Sequence, residues 1–226
     1  MSGHPHFIIG ASLGTSFQPT AIAVLEQKVL KNRNRIAETG ALWLRYLDRL
    51  SLDVNYPDTV AQISKLLETP EIKDGERCGK TDVLLDLTGS GRAIVELFER
   101  DDIDPICVRI VGAGTLEERD QNGQWRIPKV ELVGGLRVLY EAGRLKMAED
   151  LPLIPTFLDE FRNFQMRPPR IDPNDPEAWR EGQSDDLIFA VALAAWRASR
   201  HVPYPQDGDP GEKQRPLAGP SAWMGI

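Results

Sequence analysis

The sequence predicts an α/β domain: a mixed sheet that opens as a three-strand antiparallel meander, continues with parallel strands and carries helices on its faces. Three observations predict it. Apolar strand-like runs at residues 7–9, 20–25 and 41–52 follow one another, and the loop at 14–19 is short enough for an antiparallel neighbour. From residue 58 onward, stretches with apolar residues at helical spacing alternate with short apolar strands. Acids then fall at two distinct places, Asp86 at a strand end and Asp185 and Asp186 at the start of a late helix.

The first strand runs through Gly10-Ala11-Ser12-Leu13-Gly14 into a polar turn that ends at Pro19. Charges between Lys28 and Arg35 mark a loop or hairpin tip before the third strand. Val60, Ile63, Leu66 and Leu67 form one face of a helix over residues 58–68. Residues 105–111 make a fifth strand, and Asp120-Gln121-Asn122-Gly123 is a strong hairpin turn. Leu132, Leu136 and Leu139 lie on a helix that Gly143 ends. Leu158, Phe161 and Phe164 give the next apolar stripe, which Arg167-Pro168-Pro169-Arg170 breaks before a polar loop. Ser184 is a candidate N-cap for a very apolar helix at 187–196, and acids in its first turn suit the helix dipole. That bland role explains Asp185 and Asp186 unless other acids converge on them. The domain is expected to span residues 1–201, with 202–226, rich in proline and glycine, as a disordered tail.

Everything is organised around residues 81–100, TDVLLDLTGSGRAIVELFER. Val83, Leu84 and Leu85 form a buried strand, Gly89 and Gly91 end it, and Ala93, Ile94, Leu97 and Phe98 recur at helical spacing. Asp86 therefore sits at the carboxyl end of a strand, the edge of an open α/β sheet where ligands and chemistry gather. Taken locally, it serves equally well as a cap for the turn that follows.

Composition narrows the function classes. A chain of 226 residues buries a substantial core without staples. A formal net charge of -7 gives no global basic field, so any contact with nucleic acid must be built locally. Cys78 and Cys107 have neither metal-ligand spacing nor a disulfide framework and read as reduced thiols of a cytoplasmic protein. No apolar run approaches the roughly 18 residues of a membrane span, and the first residues lack the pattern of a signal peptide.

Two motif matches fail on mechanics. Gly75 to Thr81 has three residues between its glycines where a phosphate-binding loop needs about four, and it precedes a strand instead of following one. Gly89-Ser90-Gly91 begins like a dinucleotide fingerprint, but Ile94 stands at the third glycine position, where close helix-to-sheet packing needs no side chain.

Three antiparallel strands, alternating helices and strands, and acids at a strand end and on a late helix are the layout of a ribonuclease H-like fold. Over nearly all of residues 7–200 the chain resembles the nuclease domain of the large terminase subunit of tailed bacteriophages. The resemblance is carried by IIGASLGTSFQPTAIAVLE, RYLDRLSLDVNYPDTV, VLLDLTGSGRAIVELF, PKVELVGGLRVLYEAGRLKMAEDLP and SDDLIFAVALAAW, in that order. It implies a metal-dependent endonuclease that cuts concatenated viral DNA during packaging, a phage or prophage product in a bacterial cytoplasm. Double-stranded DNA and other packaging proteins are the implied partners.

Such a site holds two divalent ions about 4 Å apart, and Mg²⁺ or Mn²⁺ requires carboxylate oxygens from separate elements. By the resemblance, Asp86 supplies one carboxylate and Asp185 or Asp186 another. Adjacent helix residues point about 100° apart, so one is expected to ligate directly and its neighbour through water. The family's remaining acid lies on the first strand, where this sequence has Ser12. A hydroxyl there removes a full charge from the site, and Gln18-Pro19 also replaces an expected acid-proline step. The amino-terminal ATPase motor of complete terminases has no counterpart in the sequence, so a separated domain, a split gene product or a degenerate remnant is expected.

Two readings stay open: an impaired or partner-completed DNA endonuclease, and a catalytically inactive module that binds DNA or a packaging partner. A third ranks last. The GASLGTS turn also resembles the first phosphate-binding turn of actin-like ATPases and sugar kinases, but these need an acid at position 12 and a second such domain. If DNA binds, Lys129, Arg137, Arg144, Lys146, Arg167 and Arg170 are the local cations that must overcome the acidic total.

Overall fold

The computed structural model describes residues 5–14, 18–31, 37–75, 80–88, 93–112, 116–148, 150–164 and 185–200. The readings made for Gly89 and Gly91, Cys78, Ser184, Arg167, Arg170 and the tail lie outside them. Eight strands form one sheet: β1 (Pro5–Ser12), β2 (Ala21–Lys31), β3 (Ala37–Arg49), β4 (Asp82–Asp86), β5 (Ile106–Val111), β6 (Glu118–Arg119), β7 (Trp125–Pro128) and β8 (Leu145–Met147). Their order is β6-β7-β5-β4-β1-β2-β3-β8. β1, β2 and β3 are the expected antiparallel meander, β4 and β5 add parallel to β1, and β7 adds parallel to β5. This is the mixed sheet of a ribonuclease H-like α/β fold.

Both faces of the sheet are covered, which is why its central strands are apolar throughout instead of alternating. Ile8 of β1 and Leu84 of β4 belong to one core, with α4 (Lys129–Glu141), α5 (Ile154–Asn163) and α6 (Asp186–Arg200). Phe7, Ile9, Val83 and Leu85 belong to the other, beneath α1 (Tyr56–Leu67), α2 (Pro70–Gly75) and α3 (Ala93–Arg100). α1 starts earlier than its apolar stripe suggested. Asn55 caps it by accepting from the Asp58 amide at 2.9 Å, and Pro57 fills a first-turn position where no amide is needed.

α6 is buried on nearly every side, as a helix apolar all round must be. It lies against β1 with almost no space between the two backbones. A Cβ on Gly10 would stand 2.1 Å from the Ala190 carbonyl oxygen and 3.1 Å from the Ala194 amide nitrogen. At the other end, Arg197 donates to Asp82 at 2.8 and 3.2 Å, and His6 of β1 shares that carboxylate at 3.2 Å. Burial opposes ionisation of Asp82, but the hydrogen bonds of His6 and Arg197 outweigh it and hold the carboxyl below its usual range. α6 thus runs antiparallel to β1 and β4, its last turn over their starts and its first turn over their carboxyl ends.

The structure departs from the sequence reading in four places. β8 had no sequence signal: at three residues it is too short to show a period, and the amide of Leu42 in β3 binds the Arg144 carbonyl beside it at 2.8 Å. α2, of six residues, is equally brief. On α5 the buried pair is Phe157 and Phe161, one turn apart, while Leu158 and Phe164 are only partly covered and Phe164 lies past the helix end. β2 and β3 pair as far as Lys31↔Ala37, deeper into the charged stretch than expected, because ladder hydrogen bonds are made by the main chain. Among the described residues, no helix is long and apolar enough to cross a membrane.

Because the α6–β1 contact is backbone to backbone, no rotamer change can relieve an added methyl. Gly10→Ala is expected to cost about 3 kcal/mol of folding stability, measured by urea unfolding. A loss within about 0.5 kcal/mol, the range of an ordinary surface change, would mean that α6 does not sit this close.

Candidate functional site at the carboxyl edge of the sheet

One lateral row of the sheet carries the site. Asp86 pairs with Ser12, Ser12 with Ala21, and Ala21 with Arg49, so the three polar residues end β4, β1 and β3 side by side. Side chains two residues apart on a strand share a face. Gly10 faces α6, and Ser12 follows it on that face; Leu84 packs in the α6-side core, and Asp86 follows Leu84. Four helical residues from Ala190 back to Asp186 rise about 6 Å, much the same as the two strand residues from Gly10 to Ser12. Asp185 and Asp186 therefore come level with Ser12 and Asp86. Four residues from three distant parts of the chain, Ser12, Asp86, Asp185 and Asp186, gather at the carboxyl edge, all of them buried.

Asp86 is fully buried and also plays the local role its sequence allowed. Its Oδ1 accepts from the Thr88 amide at 2.9 Å and from the Thr88 hydroxyl at 2.5 Å, and the Thr88 Oγ1 accepts from the Ile110 amide at 2.9 Å. The carboxylate is thereby locked to the β4 turn and to β5, and Thr88 sets its rotamer.

Asp185 and Asp186 diverge, as neighbours at a helix start must. Lys129, the first residue of α4, donates to Asp185 Oδ2 at 3.0 Å. Its ammonium lies 4.9 Å from the centroid of Phe164 and 5.0 Å from that of Phe189. Asp186 turns to the other side and meets Arg49, whose Nε donates to Oδ2 at 2.6 Å and whose Nη2 donates to Oδ1 at 3.0 Å. The same Nη2 reaches Glu160 of α5 at 2.7 and 2.9 Å. Burial pushes the Asp186 carboxyl above its usual range against the pull of Arg49. Burial likewise raises Glu160; Arg49 pulls it down, and the nearby charges of Asp186 and Asp185 push it up again.

Glu160 and Arg49 were not singled out from the sequence, and Lys129 was read only as a candidate phosphate contact. Glu160 lies beside Phe161 on an amphipathic helix, and nothing local distinguishes it from a solvated helix acid. Arg49 closes a strand and reads as an exit charge. Their roles come from the sheet register and from the docking of α5 and α6.

The donor set is all oxygen, the chemistry that hard cations such as Mg²⁺ and Mn²⁺ require. The arrangement does not fit them as it stands. Asp185 and Asp186 each direct a carboxylate at a basic side chain, Ser12 brings no charge, and among the described residues no three His, Cys, Asp or Glu side chains converge in a geometry that could hold a metal ion.

A mixed sheet with buried acids at the carboxyl edge and a helix start above them is a ribonuclease H-like α/β fold, and it is similar to the fold of solved large terminase nuclease domains. The large terminase nuclease of the thermophilic phage G20c matches with a TM-score of 0.53 at 22% identity, over 85% of this chain and 82% of that one. Its structure with bound zinc matches with a TM-score of 0.52 at 21% identity, over 85% and 81%. The nuclease domain of the bacteriophage SPP1 large terminase, with bound manganese, gives a TM-score of 0.46 at 16% identity over 86% and 87%. No family profile matches the sequence. No curated protein matches it either.

Arg49 holds two carboxylates apart, so removing it leaves them facing each other. Arg49→Met is expected to cost about 2 kcal/mol near neutral pH, the lower side of a broken buried pair because Arg49 and Glu160 are partly exposed. A carboxyl with a raised folded pKa favours the fold while protonated, and that contribution is lost as pH rises through the folded value. The deficit should therefore shrink as pH falls towards about 4, the ordinary carboxylate range. Chemical denaturation at several pH values checks this, and a deficit independent of pH would contradict it.

Proposed function

We propose that the chain is a terminase-like nuclease domain of a viral DNA-packaging system in which cleavage is impaired. The observation that carries the reading is the pairing of Ser12 with Asp86: a buried hydroxyl stands where the resemblance to terminase nucleases implies an acid. The working unit is residues 1–201, with 202–226 an appended tail, acting in the cytoplasm of a bacterial host. Its chemistry, where an acid at position 12 or a partner completes the site, depends on Mg²⁺ or Mn²⁺, with Asp86, Asp185 and Asp186 as the ligands. The zinc-bound terminase nuclease of similar fold supports a divalent metal in that role.

Plasmid cleavage tests the reading. The wild type is expected to show little or no Mn²⁺-dependent cleavage and Ser12→Asp to gain it. Adding Asp86→Asn should abolish the gain, since residues acting on one centre are strongly non-additive. Robust cleavage by the wild type that Asp86→Asn removes would overturn the impairment.

The second reading, an inactive module that holds DNA or a packaging partner, is favoured by the cations outside the centre. Arg137, Arg144 and Lys146 are exposed on α4 and the segment after it. Lys129 is withdrawn from that group, because its ammonium is committed to Asp185. Filter binding of linear duplex is expected to weaken steeply with added salt and to weaken further in Arg144→Ala. No retention at low salt would count against any DNA role.

A further inference from the structure

We propose that Lys129 and Arg49 are built-in counter-cations that take over part of the charge neutralisation a pair of divalent metals would supply, and so compete with metal for the acids of the site. The proposal rests on the reading of the carboxyl edge as a nuclease-type centre and adds to Ser12 a second contribution that weakens metal binding there.

The geometry points to this because both cations are built in. The Lys129 side chain is 14% exposed and the Asp185 side chain 5%, so the pair is largely out of water. A lysine exchanging with solvent does not sit at about 5 Å from two aromatic centroids; Phe164 and Phe189 hold the ammonium where Asp185 can reach it. Arg49 is placed by the sheet, since its register with Ala21 and Ser12 sets it in the same row as the acids, and it clamps Asp186 with both Nε and Nη2. A planar fork matches a carboxylate bidentately, placing one N–H on each oxygen along the edge that a chelated cation would use. α6 cannot rotate to offer these carboxylates elsewhere, because its backbone is pressed against Gly10 and its last turn is tied by Arg197 to Asp82.

A dication entering this edge would meet positive charge already in place. It must displace Lys129 from its rings and Arg49 from its fork, or stand beside them as a like charge in a poorly solvated setting, where Coulomb repulsion is strong. Restoring the acid at position 12 adds attraction for metal but leaves both competitors. Removing a competitor reverses the balance: the released carboxylate is uncompensated, and metal is then the cation available to it.

Calorimetric titration with Mn²⁺ tests this on the full chain. Wild type, Ser12→Asp, Lys129→Met and Ser12→Asp/Lys129→Met are compared, with Lys129→Gln in both backgrounds, since it keeps a donor to Asp185 without the charge. Removing the charge at 129 is expected to tighten Mn²⁺ binding by about tenfold or more in the Ser12→Asp background. Mn²⁺ should also raise the melting temperature of Lys129→Met by more than that of the wild type, as a ligand specific for the folded state does. Equal or weaker Mn²⁺ affinity after loss of the Lys129 charge in both backgrounds would overturn the proposal and make Lys129 a positioning group. Failure of the impairment reading is separate: it appears as metal-dependent plasmid cleavage by the wild type, whichever way the affinities fall.

Discussion

The contact on which the rest depends is the backbone approach of α6 to β1 at Gly10. With no Cβ in the way, the helix settles into the sheet until its carbonyls nearly touch the strand, and this fixes its height as well as its distance. Height is what matters for the site. A helix displaced by one turn along its axis moves its first residues by about 5.4 Å, and Asp185 and Asp186 would then no longer stand level with Ser12 and Asp86. The ion pair of Arg197 with Asp82, a carboxylate that His6 also contacts, locks the opposite end, so the helix is held at both ends of the same two strands.

The edge built in this way is crowded with charge, and the fold settles it internally. Four acids, Asp86, Asp185, Asp186 and Glu160, are satisfied by a threonine turn, a lysine seated on two rings and an arginine shared between two carboxylates. Each arrangement offsets part of the desolvation that burial imposes. A centre designed to be neutralised by metal would be expected to hold its acids in reserve. Here Asp185 and Asp186 are already engaged, and the residue that could have sharpened the demand for metal is a serine. The hydrogen bonds of Lys129 and Arg49 thus compensate the charge of Asp185 and Asp186 within the fold itself.

The fold is similar to that of terminase nucleases, and an architecture of this kind rests on apolar burial that many different residues satisfy. At about one residue in five in common with the G20c enzyme, the architecture is retained.

What the sequence by itself determined was the set of elements and the ends of them that matter. The apolar runs around residues 7–9, 20–25 and 83–85, the Asn-Gly turn at 122–123 and the apolar helix after Asp186 are local signals, written in neighbouring residues. So is Asp86 at the close of a strand, and so is Ser12 at the close of another. β8 escaped because three residues carry no period, and the α5 stripe was misplaced because apolar Phe157 and Leu158 stand side by side until the stacking of Phe157 on Phe161, with Tyr140 against Phe161, chose between them. Only the tertiary structure decided that Arg49 lies in the row of Ser12 and Asp86, that Glu160 joins Asp186 through it, and that Lys129 answers Asp185. These pairings span tens to more than a hundred residues of chain, and they depend on sheet register and helix height, quantities that belong to the assembled fold and leave no pattern in any short stretch of sequence.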